Sequence, residues 1–155
     1  MSGAIDHIIV PVDASRHAAL AVRHAECVAS ALGKDLHFLH VFPASPDTIA
    51  GPGAGLSDLA TAELLDQQKF ETLREQVAAR AFRQAREALG ETEVPVQEVS
   101  RAGDPAEGII RYAEELPDSM IIMGARGLGR VGELLLGSVS HRVVHHAPCP
   151  VTIVK

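Results

Sequence analysis

The residues of this 155-residue chain best suited to bind a ligand lie in a glycine-rich stretch, MIIMGARGLGRVGELLLGSVS, from Met120 to Ser140. A short apolar run precedes the first glycine, which is typical of a strand that opens into a loop. Glycine allows the backbone to approach a ligand closely, and N–H groups at the start of a helix bind anions. The stretch therefore indicates a site for a phosphate group.

Two glycine spacings within this stretch predict different ligands. Gly127, Gly129 and Gly132 form G-x-G-x-x-G, the dinucleotide fingerprint, which follows directly on a strand and is completed by an acidic residue about 20 positions later. Here the strand is expected to end near Met123, and no uninterrupted helix follows Gly132. The later segment HHAPCPVTIV contains no carboxylate. We therefore interpret this spacing as a coincidence.

A longer spacing uses Gly124, Gly127 and, after nine further residues, Gly137 followed by Ser138. Gly124 and Gly127 are expected to let the chain turn tightly at the carboxyl end of the fourth strand, where open α/β sheets bind ligands. Gly137 allows close backbone approach, and residues 138–140 (SVS) are expected to present N–H groups and two hydroxyls at a helix N-terminus. The alternative is a flexible loop in which Ser138 only caps a helix.

A second segment, VPVDAS at residues 10–15, favours the phosphate site over the plain loop. Asp13 follows the first predicted strand, and Ser15 is expected to cap the next helix. Because the carboxyl ends of neighbouring parallel strands lie at one edge of a sheet, the two segments can meet on one ligand. Asp13 could also help to hold a metal ion such as Mg²⁺ on the phosphates.

Short β-branched runs alternate with helical patterns along the chain, the order that builds a parallel sheet covered by helices. We predict one α/β domain over residues 1–155, an open parallel five-stranded sheet with helices on both faces. Strands are predicted at 4–12, 35–42, 94–100, 119–124 and 150–155, and helices at 15–32, 59–89, 105–116 and 138–146. Residues 43–58, rich in Pro, Gly and Ser, are predicted to be a flexible loop.

Local signals predict the ends and faces of the helices. Gly33 is expected to stop the first helix, and Asp104 with Pro105 is expected to start the third. The helical period places four residues of the first helix toward the sheet: Ala21, Ala25, Val28 and Leu32.

Composition excludes several classes of function. The net charge is -6 and the 14 Lys and Arg residues are scattered, which argues against nucleic-acid binding. No segment approaches the roughly 18 apolar residues that cross a bilayer, so we expect no membrane partner and a cytoplasmic protein. Cys27 and Cys149 are interpreted as small buried apolar residues rather than a disulfide.

Metal and catalytic sites receive less support. His141 and His145 are four residues apart in a predicted helix, and His37 and His40 are expected on opposite faces of a strand. No supporting carboxylate or cysteine set is evident near them, so we interpret them as structural. The chain lacks a G-x-S-x-G elbow and a Walker A lysine, which predicts no catalytic residues and slow hydrolysis of a nucleotide at most.

The spacing G-x-x-G-x9-G-S, the segment PVDAS and the C-terminal HAPCPVTIVK together resemble the ATP-binding branch of the universal stress protein family, over essentially the whole chain. The resemblance implies a Rossmann-like fold, similar to that of the adenine nucleotide α-hydrolases, with strand order 3-2-1-4-5. It also implies a site for ATP, ADP or AMP. The binding residues implied are Pro11, Val12, Asp13, Val41, Met123, Gly124, Arg126, Gly127, Gly137, Ser138, Val139 and Ser140.

The resemblance further implies a homodimer paired through residues 150–155, and an unpaired apolar edge strand is a physical reason to expect one. It suggests a nucleotide-dependent stress-response or signalling module. Two departures keep an alternative open: Ala125 stands where many relatives have a hydroxyl, and Glu133 adds negative charge to the phosphate loop. The alternative is an interaction protein of the same fold that binds no nucleotide. A dehydrogenase is the weakest hypothesis.

Overall fold

Strands and helices alternate along the chain, as the sequence predicts. The computed structural model describes residues 4–44, 67–128 and 136–155. Its elements are β1 (His7–Pro11), α1 (Arg16–Leu32), β2 (Asp35–Phe42), α2 (Gln67–Leu89), β3 (Val96–Ala102), α3 (Pro105–Glu115), β4 (Ser119–Gly124), α4 (Ser138–His146) and β5 (Val151–Val154).

The five strands form one parallel sheet in the order β3-β2-β1-β4-β5, which confirms the order implied by the resemblance. From β1 the chain crosses to β2 on one side, and β4 later pairs with β1 on the other side. The strand order therefore reverses between β1 and β4. In open α/β sheets this reversal leaves a crevice at the carboxyl ends of the strands, where ligands bind.

The core lies on both faces of the sheet, which explains why the central strands are apolar along their whole length. Alternate strand residues, such as Ile8 and Phe38, pack against α1 and α2 on one face. Their neighbours, such as Ile9 and Leu39, pack against α3 and α4 on the other. The predicted two-sided arrangement is confirmed, and it holds the carboxyl ends of β1, β2 and β4 in fixed positions.

Several predicted boundaries differ from the structure. β1 and β5 are shorter than the apolar runs that predicted them, because pairing with neighbouring strands begins at His7 and ends at Val154. β3 extends to Ala102 instead of 100, since its last residues pair with the end of β2. Part of the predicted helix, 59–66, and most of the predicted loop at 43–58 lie outside the described residues.

Two burial predictions on α1 are wrong. Leu32 is 49% exposed, because Ala29 occupies the last inward-facing turn before Gly33 ends the helix. Cys27 is exposed on the outer face, while Cys149 is half-buried, and both are free thiols. Among the described residues, no helix combines the length and apolar character needed to cross a membrane.

Candidate functional site

The carboxylate of Asp13 joins the two segments that the sequence predicts to converge. Its Oδ1 accepts a hydrogen bond from the Ser15 N–H at 3.0 Å, and its Oδ2 accepts one from the Leu128 N–H at 3.2 Å. Between Asp13 and Ser15, Ala14 adopts the left-handed conformation, with φ 64°. A non-glycine residue in that region carries backbone strain, which is often found at binding sites. The turn after β1 is therefore attached to the loop after β4.

Gly127 makes room for this attachment. A Cβ built on Gly127 would collide with Oδ2 of Asp13, so any side chain there would displace the carboxylate. The absence of a side chain lets the Asp13 carboxylate reach across the loop to the Leu128 N–H. Gly127 and Asp13 thus depend on each other sterically.

Gly124 has a packing role that the sequence reasoning did not identify. A Cβ at this buried position would lie 2.7 Å from both the carbonyl carbon and the Cβ of His17, in the first turn of α1. Glycine is required here because a helix packs directly against the end of β4. Neither Gly124 nor Gly127 has a positive φ, so a left-handed backbone is not the reason for glycine at either position.

The N-terminus of α4 is anchored to the end of β4 through one carbonyl. The Ala125 C=O accepts hydrogen bonds from the Gly137 N–H at 2.8 Å and from Oγ of Ser140 at 2.7 Å. The same hydroxyl lies 3.0 Å from the Gly137 C=O and is buried. The sequence-based expectation that two serine hydroxyls are presented at this helix end is therefore wrong for Ser140, whose hydroxyl fixes the position of the helix.

The N-termini of α1 and α3 are capped by a side chain, whereas the N-terminus of α4 is not. Ser15 caps α1 by accepting from the Ala18 N–H at 3.1 Å, and Asp104 caps α3 by accepting from the Glu107 N–H at 2.9 Å. The N-cap of α4 is Gly137, which has no side chain to accept such a bond. Within the part of the chain that the structure describes, no side chain caps the first N–H groups of α4, which leaves them to an external acceptor.

The β1–β2 edge provides backbone groups beside the Asp13 turn. The Val12 N–H donates to the Leu39 C=O at 2.9 Å, and the register of β1 against β2 ends with Pro11 opposite Leu39. Successive residues of a strand direct their peptide groups alternately to its two neighbouring strands. The peptide groups of Val41, like those of Leu39, therefore point to the β1 side, but β1 has already ended there. The Val41 side chain packs against Gly108 of α3, where a Cβ would lie 2.8 Å from it.

The remaining predicted site residues lie at the same edge of the sheet. Met123 is buried at the end of β4, and Arg126 is half-buried in the loop that follows. Ser138 is exposed and Val139 half-buried in the first turn of α4. The loop residues Gly129, Arg130, Gly132 and Glu133 lie outside the described residues.

A second cluster, which the sequence reasoning missed, lies at the opposite end of the sheet. His7, Asp35 and His37 hold their ligand atoms within 4.8 Å of one another. The interpretation that no carboxylate supports His37 is wrong, because Asp35 hydrogen-bonds to it. The D-x-H pattern on one strand face was a usable signal, but His7 joins the cluster only through the strand register, which places it opposite Asp35.

Two histidines of α4 donate hydrogen bonds to carbonyl groups of the same helix. Rings of His141 and His145 lie 4.3 Å apart. His145 donates from Nδ1 to the His141 C=O at 2.8 Å, and His146 donates to the Arg142 C=O at 2.9 Å. These bonds hold both rings against the backbone of α4.

Comparison with known proteins places this geometry in a family. The sequence model of the universal stress protein family matches residues 4–155. A curated relative, the universal stress protein in the QAH/OAS sulfhydrylase 3'region of Thermus aquaticus, is 35% identical over 149 residues, which cover 96% of this chain and 97% of that protein.

Solved structures share the fold. The universal stress protein UspA from Lactobacillus plantarum superposes with a TM-score of 0.75 at 26% identity, covering 98% of this chain and 99% of that one. A universal stress protein in complex with cAMP has a TM-score of 0.64 at 21% identity, covering 98% of both chains. One from Archaeoglobus fulgidus in complex with dAMP has a TM-score of 0.61 at 18% identity, covering 97% of this chain and 98% of that one.

Proposed function

The chain belongs to the universal stress protein family, and on that premise we propose that it binds ATP at the carboxyl end of its sheet. The binding would make it a nucleotide-dependent stress-response or signalling module. The observation that carries the proposal is the meeting of the Asp13 turn and the Gly127–Leu128 loop beside the N-terminus of α4, whose N-cap has no side chain. The cAMP and dAMP complexes of proteins with this fold support an adenine nucleotide as the ligand.

The phosphates fit the start of α4. The N–H groups of residues 138–140 are the orphan donors of a helix whose dipole favours negative charge. A Cβ on Gly137 would meet the protein only at ordinary contact distances, 3.5 Å from the Ala125 carbonyl oxygen and from the Cα of Arg126. The fold itself therefore does not require glycine at 137, and close approach of a phosphate gives a reason for it.

The base and ribose fit the β1–β2 edge. Pro11, Val12 and Asp13 line the crevice, and the peptide groups of Val41 face it, as adenine recognition by backbone groups requires. Both Asp13 oxygens accept a backbone N–H, yet each keeps a lone pair that can take a ribose hydroxyl or a Mg²⁺ ion on the phosphates.

The same residues argue for retention of the nucleotide rather than rapid turnover. Without a Walker A lysine next to Gly137 and Ser138, the cradle lacks the lysine that P-loop enzymes use in phosphoryl transfer. We therefore expect the protein to hydrolyse ATP slowly at most, and to be regulated by whether a nucleotide is bound.

Isothermal titration with ATP and Mg²⁺ tests the proposal on three matched proteins. Gly137→Ala should keep the fold and weaken ATP binding at least tenfold, because a methyl group enters the phosphate cradle. Asp13→Asn should weaken ATP binding about 10- to 100-fold, since hydrogen bonds to a charged group are worth about 1.5–3 kcal/mol. Asp118→Asn, a left-handed residue at the other end of the sheet, is the control and should bind normally.

The alternative function, an interaction protein that ignores nucleotides, makes opposite predictions. Native mass spectrometry of freshly purified protein should detect co-purified ATP, ADP or AMP if the proposal is correct. Absence of nucleotide in that spectrum, together with no heat of binding at millimolar ATP, would favour the interaction protein. Competition of ATP with AMP and cAMP then ranks the nucleotides.

We also infer a homodimer through β5. This strand pairs with β4 on one side only, and its four residues, VTIV, are all half-buried within the single chain. The Val154 C=O faces β4, so by alternation the peptide groups of Ile153 face the free edge. Light scattering after gel filtration should give a dimer for the wild type and a monomer for Ile153→Pro. A monomeric wild type at 100 µM, roughly the upper limit for a weak specific pair, would contradict this.

A further inference from the structure

The amino-terminal end of the sheet carries a cluster of metal-ligating side chains that the nucleotide site does not use. His7 opens β1 and Asp35 opens β2, and the strand register places them opposite each other. His37 lies two residues further along β2, on the same face as Asp35. Asp13 lies six residues from His7, about 20 Å away at the usual rise of a strand.

Asp35 bridges the two imidazoles. Its Oδ1 lies 2.8 Å from Nδ1 of His7, and its Oδ2 lies 2.8 Å from Nε2 of His37. Two nitrogens and a carboxylate oxygen around one point form a donor set that suits Zn²⁺ and related divalent ions. In tetrahedral zinc sites such atoms are about 3.3 Å apart, whereas the ligand atoms here lie within 4.8 Å of one another, so the side chains must rearrange to enclose an ion.

Tyr112 of α3 orients the buried member of the cluster. Its hydroxyl lies 2.7 Å from Nδ1 of His37, the ring nitrogen that faces away from Asp35. A hydrogen bond on the second nitrogen of a ligating histidine fixes the ring and its tautomer, as in most protein metal sites.

The side chains of the cluster become more exposed from His37 to Asp35 to His7. His37 is 4% exposed, Asp35 20% and His7 34%. The ammonium group of Lys34, the residue before Asp35, is paired with Asp6 at 2.7 Å. An ion can therefore enter beside His7 and keep one position for water, the arrangement of three-ligand zinc sites.

We propose that His7, Asp35 and His37 form a binding site for a divalent transition-metal ion of the Zn²⁺ type, with Tyr112 as a positioning residue. The ion would tie β1 and β2 together at the end of the sheet remote from the nucleotide. The proposal rests on this geometry alone and does not depend on ATP binding.

The test uses full-length protein treated with EDTA and freed of nucleotide. His141 and His145 form the competing surface pair, so the reference protein carries His141→Gln and His145→Gln. Zn²⁺ is titrated against a chromogenic chelator, and Co²⁺ is titrated by its visible absorption. We expect one equivalent bound by the wild type and by the reference protein, with affinities within twofold of each other.

Variants then locate the ion. In the reference protein, His7→Gln and Asp35→Asn should each weaken Zn²⁺ binding at least tenfold, and Tyr112→Phe about tenfold, as outer-shell partners do. His24→Gln, an exposed histidine on α1, is the matched control and should change nothing. Long-range ¹H–¹⁵N spectra should show Nε2 of His37 shifting on addition of Zn²⁺, which a purely structural hydrogen bond would not produce.

Three results would overturn the assignment: no binding by the wild type, loss of binding in the reference protein, or undiminished binding by His7→Gln. Because His7 is partly exposed, His7→Gln should stay folded, and its thermal unfolding checks this. If His7→Gln unfolds, the His37 Nε2 shift in the reference protein decides the question by itself.

Discussion

At the carboxyl end of the sheet, the candidate nucleotide site is built mainly from backbone. The Ala125 carbonyl anchors α4, the Leu128 N–H anchors Asp13, and glycine leaves the space in which these groups meet. At the amino end, the candidate metal site is built from side chains that project from regular strands. The first site is therefore formed by the backbone of the fold itself. The second is formed by side chains that regular strands carry.

The difference has a physical origin. Beyond the carboxyl ends the strands diverge into turns, so unpaired peptide groups and helix ends accumulate there. At the amino end, His7 and Asp35 sit within paired strands whose peptide groups already have partners, and only side chains remain to bind a ligand. At the first end, the groups that hold the backbone in place should therefore affect stability more than any single side chain does at the second end.

The largest expected effect comes from Gly124→Ala. The new methyl group would press on the backbone of His17, so we expect a loss of about 1–3 kcal/mol in the free energy of unfolding, as in other overpacked cores. The thermal midpoint should fall by roughly 2–4 °C for each kcal/mol lost. Gly137→Ala is the matched control and should change the stability by less than about 0.5 kcal/mol. Equal losses of unfolding free energy in the two variants would contradict the different roles assigned to the two glycines.

An intermediate effect is expected from Ser140→Ala. Its hydroxyl donates to the Ala125 carbonyl just after β4 and lies 3.0 Å from the Gly137 carbonyl, and its removal should cost about 1 kcal/mol in urea unfolding, the usual value of a buried hydrogen bond. Ser138→Ala removes an exposed hydroxyl and should leave stability within about 0.5 kcal/mol while weakening ATP binding severalfold. The reverse pattern, with Ser138 needed for stability, would contradict the assignment of the two serines.

The smallest expected effect is a pH dependence of stability that comes from Asp35, at the amino end of the sheet. Burial, the largest single influence on Asp35, raises its pKa, but hydrogen bonds from His7 and His37 outweigh it and hold the pKa below the usual 3.8. A lowered pKa contributes stability that is present above the unfolded-state pKa of about 4 and is lost as pH falls through the folded-state pKa. Metal-free wild type should therefore lose more unfolding free energy between pH 5 and pH 3 than Asp35→Asn. Parallel losses in urea titrations would exclude this contribution.

Local signals predicted much of the fold. The limits of β2 and β4 match the predicted strands, and the Ser15 and Asp104 caps were predicted from residue type and position. These features depend on interactions within a few residues, which a sequence pattern records. The boundaries of β3 were less accurate, because pairing with β2 rather than propensity sets its last residues.

For the candidate site, the sequence predicted which segments meet but not all of the contacts that they make. Motif spacing indicated that the Asp13 turn and the glycine loop converge, and they do. The packing reason for glycine at position 124 was missed, since its neighbour His17 lies in another element. The cluster at the other end was missed because its members come from two strands, and no pattern along the chain reveals which residues face each other.

The sequence by itself determined the family, the alternation of strands and helices, and the residues available at the ends of the strands, because periodicity, caps and motif spacing are local properties. Only the tertiary structure decided what those residues contact. The helix packed on Gly124, the carboxylate over Gly127 and the opposition of His7 and Asp35 all arise from the register and packing of elements distant in the chain. Those contacts depend on how the whole core packs, so they are not encoded in any single segment.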